Sequence, residues 1–226
     1  SPVTITAITA ANPVVVTAAS HGFLNGDLVD ITDVVGMTEV NGNRYKVADK
    51  TTNTFELTNQ TTSVDINGSA YTVYDSAGKV RKGVTTITGL SHLEGSSVQI
   101  VGNGAVFPSA TVTNGEVTTA TEVSEAYVGL GYTTTLKPSR PEFGSPQGIT
   151  QGKPKRWNHI FVRLVNTLGL TINGDQMPFR TSADLMNSPP ASFTGDKKVM
   201  NLGYDKDGFI EIKQEQPLDM HVVAIG

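Results

Sequence analysis

Ser97-Val98-Gln99-Ile100-Val101-Gly102-Asn103-Gly104-Ala105-Val106-Phe107 is the stretch that decides the fold. Two β-prone runs flank Gly102-Asn103-Gly104, and Asn-Gly tolerates the positive φ that a tight primed turn demands, so the runs read as a hairpin. The dipeptide recurs at Asn25, Asn41, Asn67, Asn103, Asn114 and Asn173, mostly between short runs of Val, Ile, Thr, Phe and Tyr. The chain therefore reads as a succession of antiparallel strands. No amphipathic helix of three turns is legible anywhere, and the expected class is all-β.

Upstream of that hairpin, residues 3–82 read as a compact small β-barrel module. Val3 to Ile8, Val14 to Thr17, Leu28 to Ile31, Arg44 to Val47, Thr54 to Leu57 and Ala70 to Val73 are its expected strands. Asp33 to Thr38 reads as one helical turn or tight loop with Asp33 as its cap. Five or six short strands suit a barrel or rolled sheet, which removes exposed edges. The polar stretch Asp75 to Gly83 has no apolar period and reads as a linker.

Downstream, residues 83–226 read as an antiparallel β-sandwich-like domain with long Pro/Gly-rich loops, with a further subdivision near 131 left open. Thr111 to Thr113 and Glu116 to Thr118 flank Asn114-Gly115 as a second hairpin, and Ala126 to Val128 is a further strand. Leu136 to Lys155 carries Pro138, Pro141, Pro146 and Pro154 and reads as irregular loop, because proline withholds ladder donors. It is also the expected contact loop. In Asn158 to Val165, Ile160, Val162 and Leu164 share one face; Ile210 and Ile212 alternate likewise, and His221 to Ile225 is a final apolar strand.

Charged residues make up 17% of the 226 residues, below the usual quarter of a globular domain, as in β-rich assemblies whose surfaces become interfaces. A net charge of −4 gives no general electrostatic case for nucleic acid or anionic membrane. The chain has no cysteine, so disulfide scaffolds and thiolate metal sites are excluded. No apolar run approaches the roughly 18 residues that span a bilayer, and no membrane anchor is expected. A start at Ser1 without methionine suggests a processed piece or part of a longer product.

Each candidate for chemistry has a plainer reading. Asp205-Lys206-Asp207-Gly208 imitates the start of a calcium loop, but the bidentate acid such a loop needs is replaced by the alternating run Phe209 to Lys213. A hairpin with Asp207-Gly208 at the turn is expected instead. Gly102-x-Gly104 and Gly129-x-Gly131 resemble dinucleotide glycines without a following helix to hold a pyrophosphate. His21, His92, His159 and His221 stand singly, with no metal-ligand spacing. His92 beside Glu94 is the nearest thing to an acid–base pair. Lys153, Lys155, Arg156 and Arg163 cluster around Trp157, a pattern that can grip a nucleic-acid backbone but suits a solvated loop better. The sequons at Asn59 and Asn67 are near chance frequency. No catalytic, cofactor-binding or metal residue is assigned, and enzymatic activity is not expected.

Beyond physics, the run Lys155 to Leu170 is not generic. With Met177-Pro178-Phe179-Arg180, Pro189-Pro190, Phe193 to Lys197, Gln214 to Leu218, Gly89 to Gly95 and Gly129 to Thr133, it resembles the carboxy-terminal part of the tail nozzle proteins of short-tailed bacteriophages. Ser20-His21-Gly22-Phe23, Asn25-Gly26-Asp27, Gly36-Met37, Asn41-Gly42 and Asn53 to Leu57 resemble a small β-barrel module that is named after ubiquitin-activating enzymes and recurs in phage tail proteins. The enzymatic connotation does not carry over, since no cysteine can form a thioester.

That resemblance implies a virion structural protein made in the bacterial cytoplasm and built into the tail. It implies copies of the chain in a ring, usually sixfold, around a channel for DNA passing without sequence specificity, with neighbouring tail-tube and fibre proteins as partners. Nozzle proteins are generally much longer, with further β architecture upstream, so this piece alone is expected to be monomeric or weakly associated. Two other functions stay open. One is a receptor- or carbohydrate-binding module using exposed aromatics such as Phe143 or Tyr204. The other is a cell-wall polysaccharide hydrolase, which needs two carboxylates at fixed separation.

Overall fold

The computed structural model describes residues 1–139, 144–145, 148–149, 152–182, 190–200 and 203–226. Strand accounts for 49% and helical turns for 3%, so the chain is all-β, with one curled antiparallel sheet and several further sheets. It divides into two compact units, Ser1–Gly95 with Thr111–Tyr127, and Ser96–Ala110 with Val128–Gly226.

The first unit is organised by its curled sheet. Strands β1 (Val3–Thr4), β2 (Ala7–Ile8), β3 (Val15–Thr17), β4 (Leu28–Val35), β5 (Arg44–Ala48), β6 (Thr54–Asn59) and β7 (Ser76–Lys82) follow the order β1-β7-β4-β5-β6-β3-β2. β1 and β2 are halves of one continuous stretch, yet they lie at opposite ends of that order. Val3 faces Val80 on β7 while Ile8 faces Val16 on β3. Between them the Ile5 N–H donates to Gly78 O at 3.0 Å and the Thr6 N–H to Thr17 O at 2.9 Å. One short segment thus joins both terminal strands and closes the sheet into a barrel without open edges.

Alternation fills the barrel. Val16, Val29, Ile31, Val47, Phe55, Leu57 and Val80 point inward and are at most 2% exposed. Burial pushes the Tyr45 phenol up to about 12, with Tyr71 adding to the shift. Arg44 forks onto Asp30 through Nε and Nη2 at 2.9 and 2.6 Å and donates from Nη1 to the Glu122 carbonyl at 2.9 Å. That third bond ties the barrel to the chain at Glu122, within the same unit.

Three expectations fail here. The stretch Asp75 to Gly83 is no linker: Ser76–Lys82 is β7, paired with β4 from Val29↔Lys82 to Val35↔Ser76. Its inward positions are Gly78 and Val80, while Lys79 and Lys82 point to solvent, so a structural strand looks polar in sequence. Ala70 to Val73 is not a strand; Tyr71 packs on the core and Val73 is exposed. Asp33 caps nothing, because β4 runs on to Val35 through a left-handed Asp33 (φ 64°) and a 3-10 turn follows at Thr38–Val40. Trypsin should therefore spare Lys79, Arg81 and Lys82 in the native protein while cutting exposed basic sites. Rapid cleavage at any of the three under native conditions would contradict the pairing of β7.

Past the barrel come β8 (Val84–Ile87), β9 (Ser97–Gly102), β10 (Ala105–Thr111), β11 (Val117–Val123) and β12 (Ala126–Gly129). β8 pairs with β11, and β10-β9-β12 form a three-stranded sheet. The Asn103-Gly104 hairpin has the expected primed geometry, with φ of 49° and 76°. At Asn114-Gly115 (φ 55° and 73°) the turn is equally tight, and Thr113 and Glu116 exchange both backbone bonds at 3.0 and 3.2 Å. Its flanks then diverge, since β10 and β11 belong to different sheets, and the hairpin is one rung long. Asn173-Gly174 is the third primed turn, at φ 50° and 89°. Asn67-Gly68 instead opens an Asx turn, with the Asn67 side chain accepting the Ser69 N–H at 3.0 Å.

The second unit continues with β13 (Thr134–Leu136), β14 (Gly144–Ser145), β15 (Gly148–Ile149), β16 (Lys155–Arg156), β17 (His159–Thr167), β18 (Leu170–Ile172), β19 (Asp175–Gln176), β20 (Phe193–Met200), β21 (Tyr204–Asp205), β22 (Ile212–Gln214) and β23 (Val222–Ile225). Sheet β20-β17-β23 supplies Ile160, Val162 and Leu164 to a core whose other wall, Leu170, Ile172 and Ile212, comes from sheet β13-β22-β18-β19. The buried Gln214 amide is satisfied by the carbonyls of Leu168 and Leu218. Two short ribbons, β14-β15 and β16-β21, interrupt the stretch expected as irregular loop. Pro141, Phe143, Pro146 and Pro189 lie outside the described residues.

The hairpin expected at Asp207-Gly208 is absent. β21 pairs with β16, not with β22, and the buried Gly208 (φ 64°) offers its carbonyl to Trp157 Nε1–H at 2.9 Å. The indole donor needs a buried partner, and that anchor draws the segment away from a tight turn.

Candidate functional site

The most distinctive surface is the outer face of sheet β20-β17-β23. Strict alternation in β17 drives Ile160, Val162 and Leu164 inward and leaves His159, Phe161, Arg163 and Val165 outward. Across the ladder His159 faces Met200, Phe161 faces Lys198, Arg163 faces Asp196 on one side and Ala224 on the other. Phe161 is 43% exposed, Met200 60% and Val223 62%. The His159 ring meets Phe161 edge-on at 5.4 Å and Lys198 Nζ stands 5.7 Å over the same ring. In the middle, Arg163 forks onto Asp196 at 2.8 and 2.9 Å and holds that carboxyl below the usual range. Both partners are well exposed, so the pair fixes side-chain direction more than it stabilises the fold.

A second feature of this unit is a groove of about 430 Å³, lined mainly by Leu168, Met177, Pro178, Phe179, Pro190 and Leu218. Lys197 braces its rim, donating to Pro178 O at 2.7 Å with its ammonium 4.4 Å over Phe193. The described wall offers apolar contact, the amides of Gln176 and Gln216 and the guanidinium of Arg180, but no nucleophile beside a base.

The singled-out residues do not converge. His21 is buried under Phe23 and Phe55, accepting the Phe23 N–H at Nδ1 (3.0 Å) and facing Thr54 O from Nε2 (3.3 Å). His221 Nδ1 meets Val165 O at 3.2 Å, a strand-end contact. His92 is exposed on the 3-10 turn Ser91–Leu93. Glu94 points elsewhere: its two oxygens take the N–H groups of Asn114 and Gly115 at 2.9 and 2.7 Å and clamp the primed turn. Glu94→Ala should cost about 1 kcal/mol, as a charge-assisted pair at an exposed site. His92→Ala should stay within about 0.5 kcal/mol, as ordinary surface substitutions do. Equal losses in urea unfolding would show that the Glu94 clamp on the turn contributes no more than an ordinary surface contact.

Of the basic cluster, Arg163 is committed to Asp196, Arg156 lies 5.5 Å from the Tyr204 ring, and Trp157 is tied to Gly208. Among the described residues no group of three His, Asp or Glu side chains is arranged to hold a metal ion. Neither glycine pair precedes a helix: Gly102 and Gly104 bracket the turn into β10, and Gly131 lies between β12 and β13. The outer face of β17 was passed over in sequence, although one signal was there, an aromatic at Phe161 on the side of an alternating strand that normally faces water.

No curated protein matches this chain. A family model, that of the ubiquitin-activating enzyme E1 FCCH domain, matches residues 11–82, a stretch that here holds the strands from β3 to β7.

Proposed function

We propose that this chain is a structural part of a bacteriophage tail, a nozzle or distal tail-tube component that assembles with copies of itself around the path of the exiting DNA and acts without turnover. The observation that carries the reading is the outward face of β17, β20 and β23. Phe161, Met200 and Val223 present apolar surface on a rigid sheet, of the kind that marks protein–protein contact. The resemblance of residues 84–226 to nozzle proteins supplies the setting, and rings are built from such heterologous contacts.

Purified virions test it. Labelled antibody and particle imaging should find the protein in the tail, in several copies about the tail axis. A position in the capsid, or a single copy per particle, ends the reading. Phe161→Glu with Val223→Glu, in the full-length protein, should abolish the ring while moving the subunit's thermal midpoint by only a few degrees, because both side chains are largely outside the core. Rings that survive the double change would put the interface elsewhere.

A second reading is a glycan- or receptor-binding tip. Tyr204, 74% exposed with Arg156 beside its ring, favours it, and saccharide binding lost in Tyr204→Ala would support it.

A further inference from the structure

The six Asn-Gly dipeptides share a chemical liability but not a chemical environment. Succinimide formation requires the glycine nitrogen to attack the asparagine Cγ, so a glycine N–H held in a hydrogen bond is a poor nucleophile. Gly26 donates to Val47 O at 2.9 Å, Gly42 to Ile31 O at 2.9 Å and Gly68 to Ala11 O at 2.8 Å. Gly115 donates to the Glu94 carboxylate at 2.7 Å. Gly104 and Gly174 differ: among the described residues no acceptor takes either N–H, and both glycines are exposed at hairpin tips.

We infer that Asn103 and Asn173 are selective deamidation sites of the native protein, while Asn25, Asn41, Asn67 and Asn114 are protected by the fold. At Asn173 the side-chain oxygen already accepts the Glu211 N–H at 2.8 Å, a bond that stabilises negative charge developing on that oxygen during attack. In the reaction the Gly N–Cγ bond forms, solvent base takes the amide proton, and the Cγ–Nδ2 bond breaks with release of ammonia. Water then opens the ring at either carbonyl to give aspartate or isoaspartate. Each event adds one negative charge, and the isoaspartate product lengthens the backbone by one carbon inside a two-residue turn.

The test is incubation of the intact chain in mildly alkaline buffer, with peptide mapping by mass spectrometry for the gain of about one mass unit that accompanies exchange of NH for O. Modification at Asn103 and Asn173 should run at least about tenfold faster than at the other four sites, a ratio equivalent to about 1.4 kcal/mol of barrier. A parallel sample in urea should level the six rates. Gly104→Ala and Gly174→Ala should each silence their own site only. Faster reaction at Asn114 or Asn41 than at Asn173 in the native protein, or six equal native rates, would overturn the inference.

Discussion

Replacing Phe55 by alanine should destabilise the barrel by about 3–5 kcal/mol, the range for a fully buried aromatic. Phe55 is 0% exposed and sits where β6 passes between β3 and β5. Its ring meets His21 at 5.1 Å and Phe23 at 5.5 Å, both edge-on, so truncation opens a cavity and strands two aromatic neighbours at once. His21 is fixed on two sides by backbone groups and cannot swing in to fill the space. Against a domain stability of about 5–15 kcal/mol, such a loss leaves the unit marginal. Urea unfolding followed by circular dichroism reads it directly. A loss below about 1 kcal/mol would show that the cluster can collapse around the gap and that the barrel core is looser than its burial implies.

The second large effect is expected from Gly36→Ala. Gly36 has φ +89°, where an L side chain already costs about 1–2 kcal/mol. An added Cβ would also overlap the Val73 carbonyl oxygen and lie 2.6 Å from Asp75 N. Both atoms are backbone, in the segment whose Asp75 N–H bonds Val35 O at 3.0 Å just before β7 begins, so relief requires β7 to shift against β4. Gly42→Ala is the control: φ is +71°, but nothing lies within 4 Å of the added carbon, so only the conformational penalty remains. The Gly36 variant should lose at least about 2 kcal/mol more than the Gly42 variant. Equal losses would mean that the chain around Val73 gives way freely.

What sequence could see was decided by how each strand announces its buried face. β17 alternates exposed with buried side chains from His159 to Val165, with Ile160, Val162 and Leu164 on the inward face, and that inward set was legible for this reason. β7 buries only a glycine and a valine, so its period vanished and a sheet strand looked like a linker. Tyr71-Thr72-Val73 had strand propensity without a ladder to join, because the stretch is taken up in holding Glu39: the Thr72 N–H and hydroxyl both donate to its carboxylate at 2.8 Å. Those bonds, the backbone one first, hold the Glu39 carboxyl below its ordinary range. The all-β class emerged from turn chemistry, but only the turns at Asn103, Asn114 and Asn173 are primed at both residues. At Asn25 and Asn41 the glycine alone takes positive φ, so the dipeptide marked a reversal without fixing its type. The outer face of β17 depends on which residues of β20 and β23 stand opposite Phe161 and Arg163, a matter of register between segments far apart in sequence.

The closure of the barrel has a bearing on modularity. Because Val3 faces Val80 in antiparallel register, chain arriving at Val3 and chain departing past Lys82 do so at the same end of neighbouring strands. The two ends of the module are therefore separated by little more than one inter-strand spacing, about 5 Å. Chain on either side of the barrel enters and leaves at one place, a gap that a short loop spans, while Arg44 holds the barrel to the strand that carries Glu122.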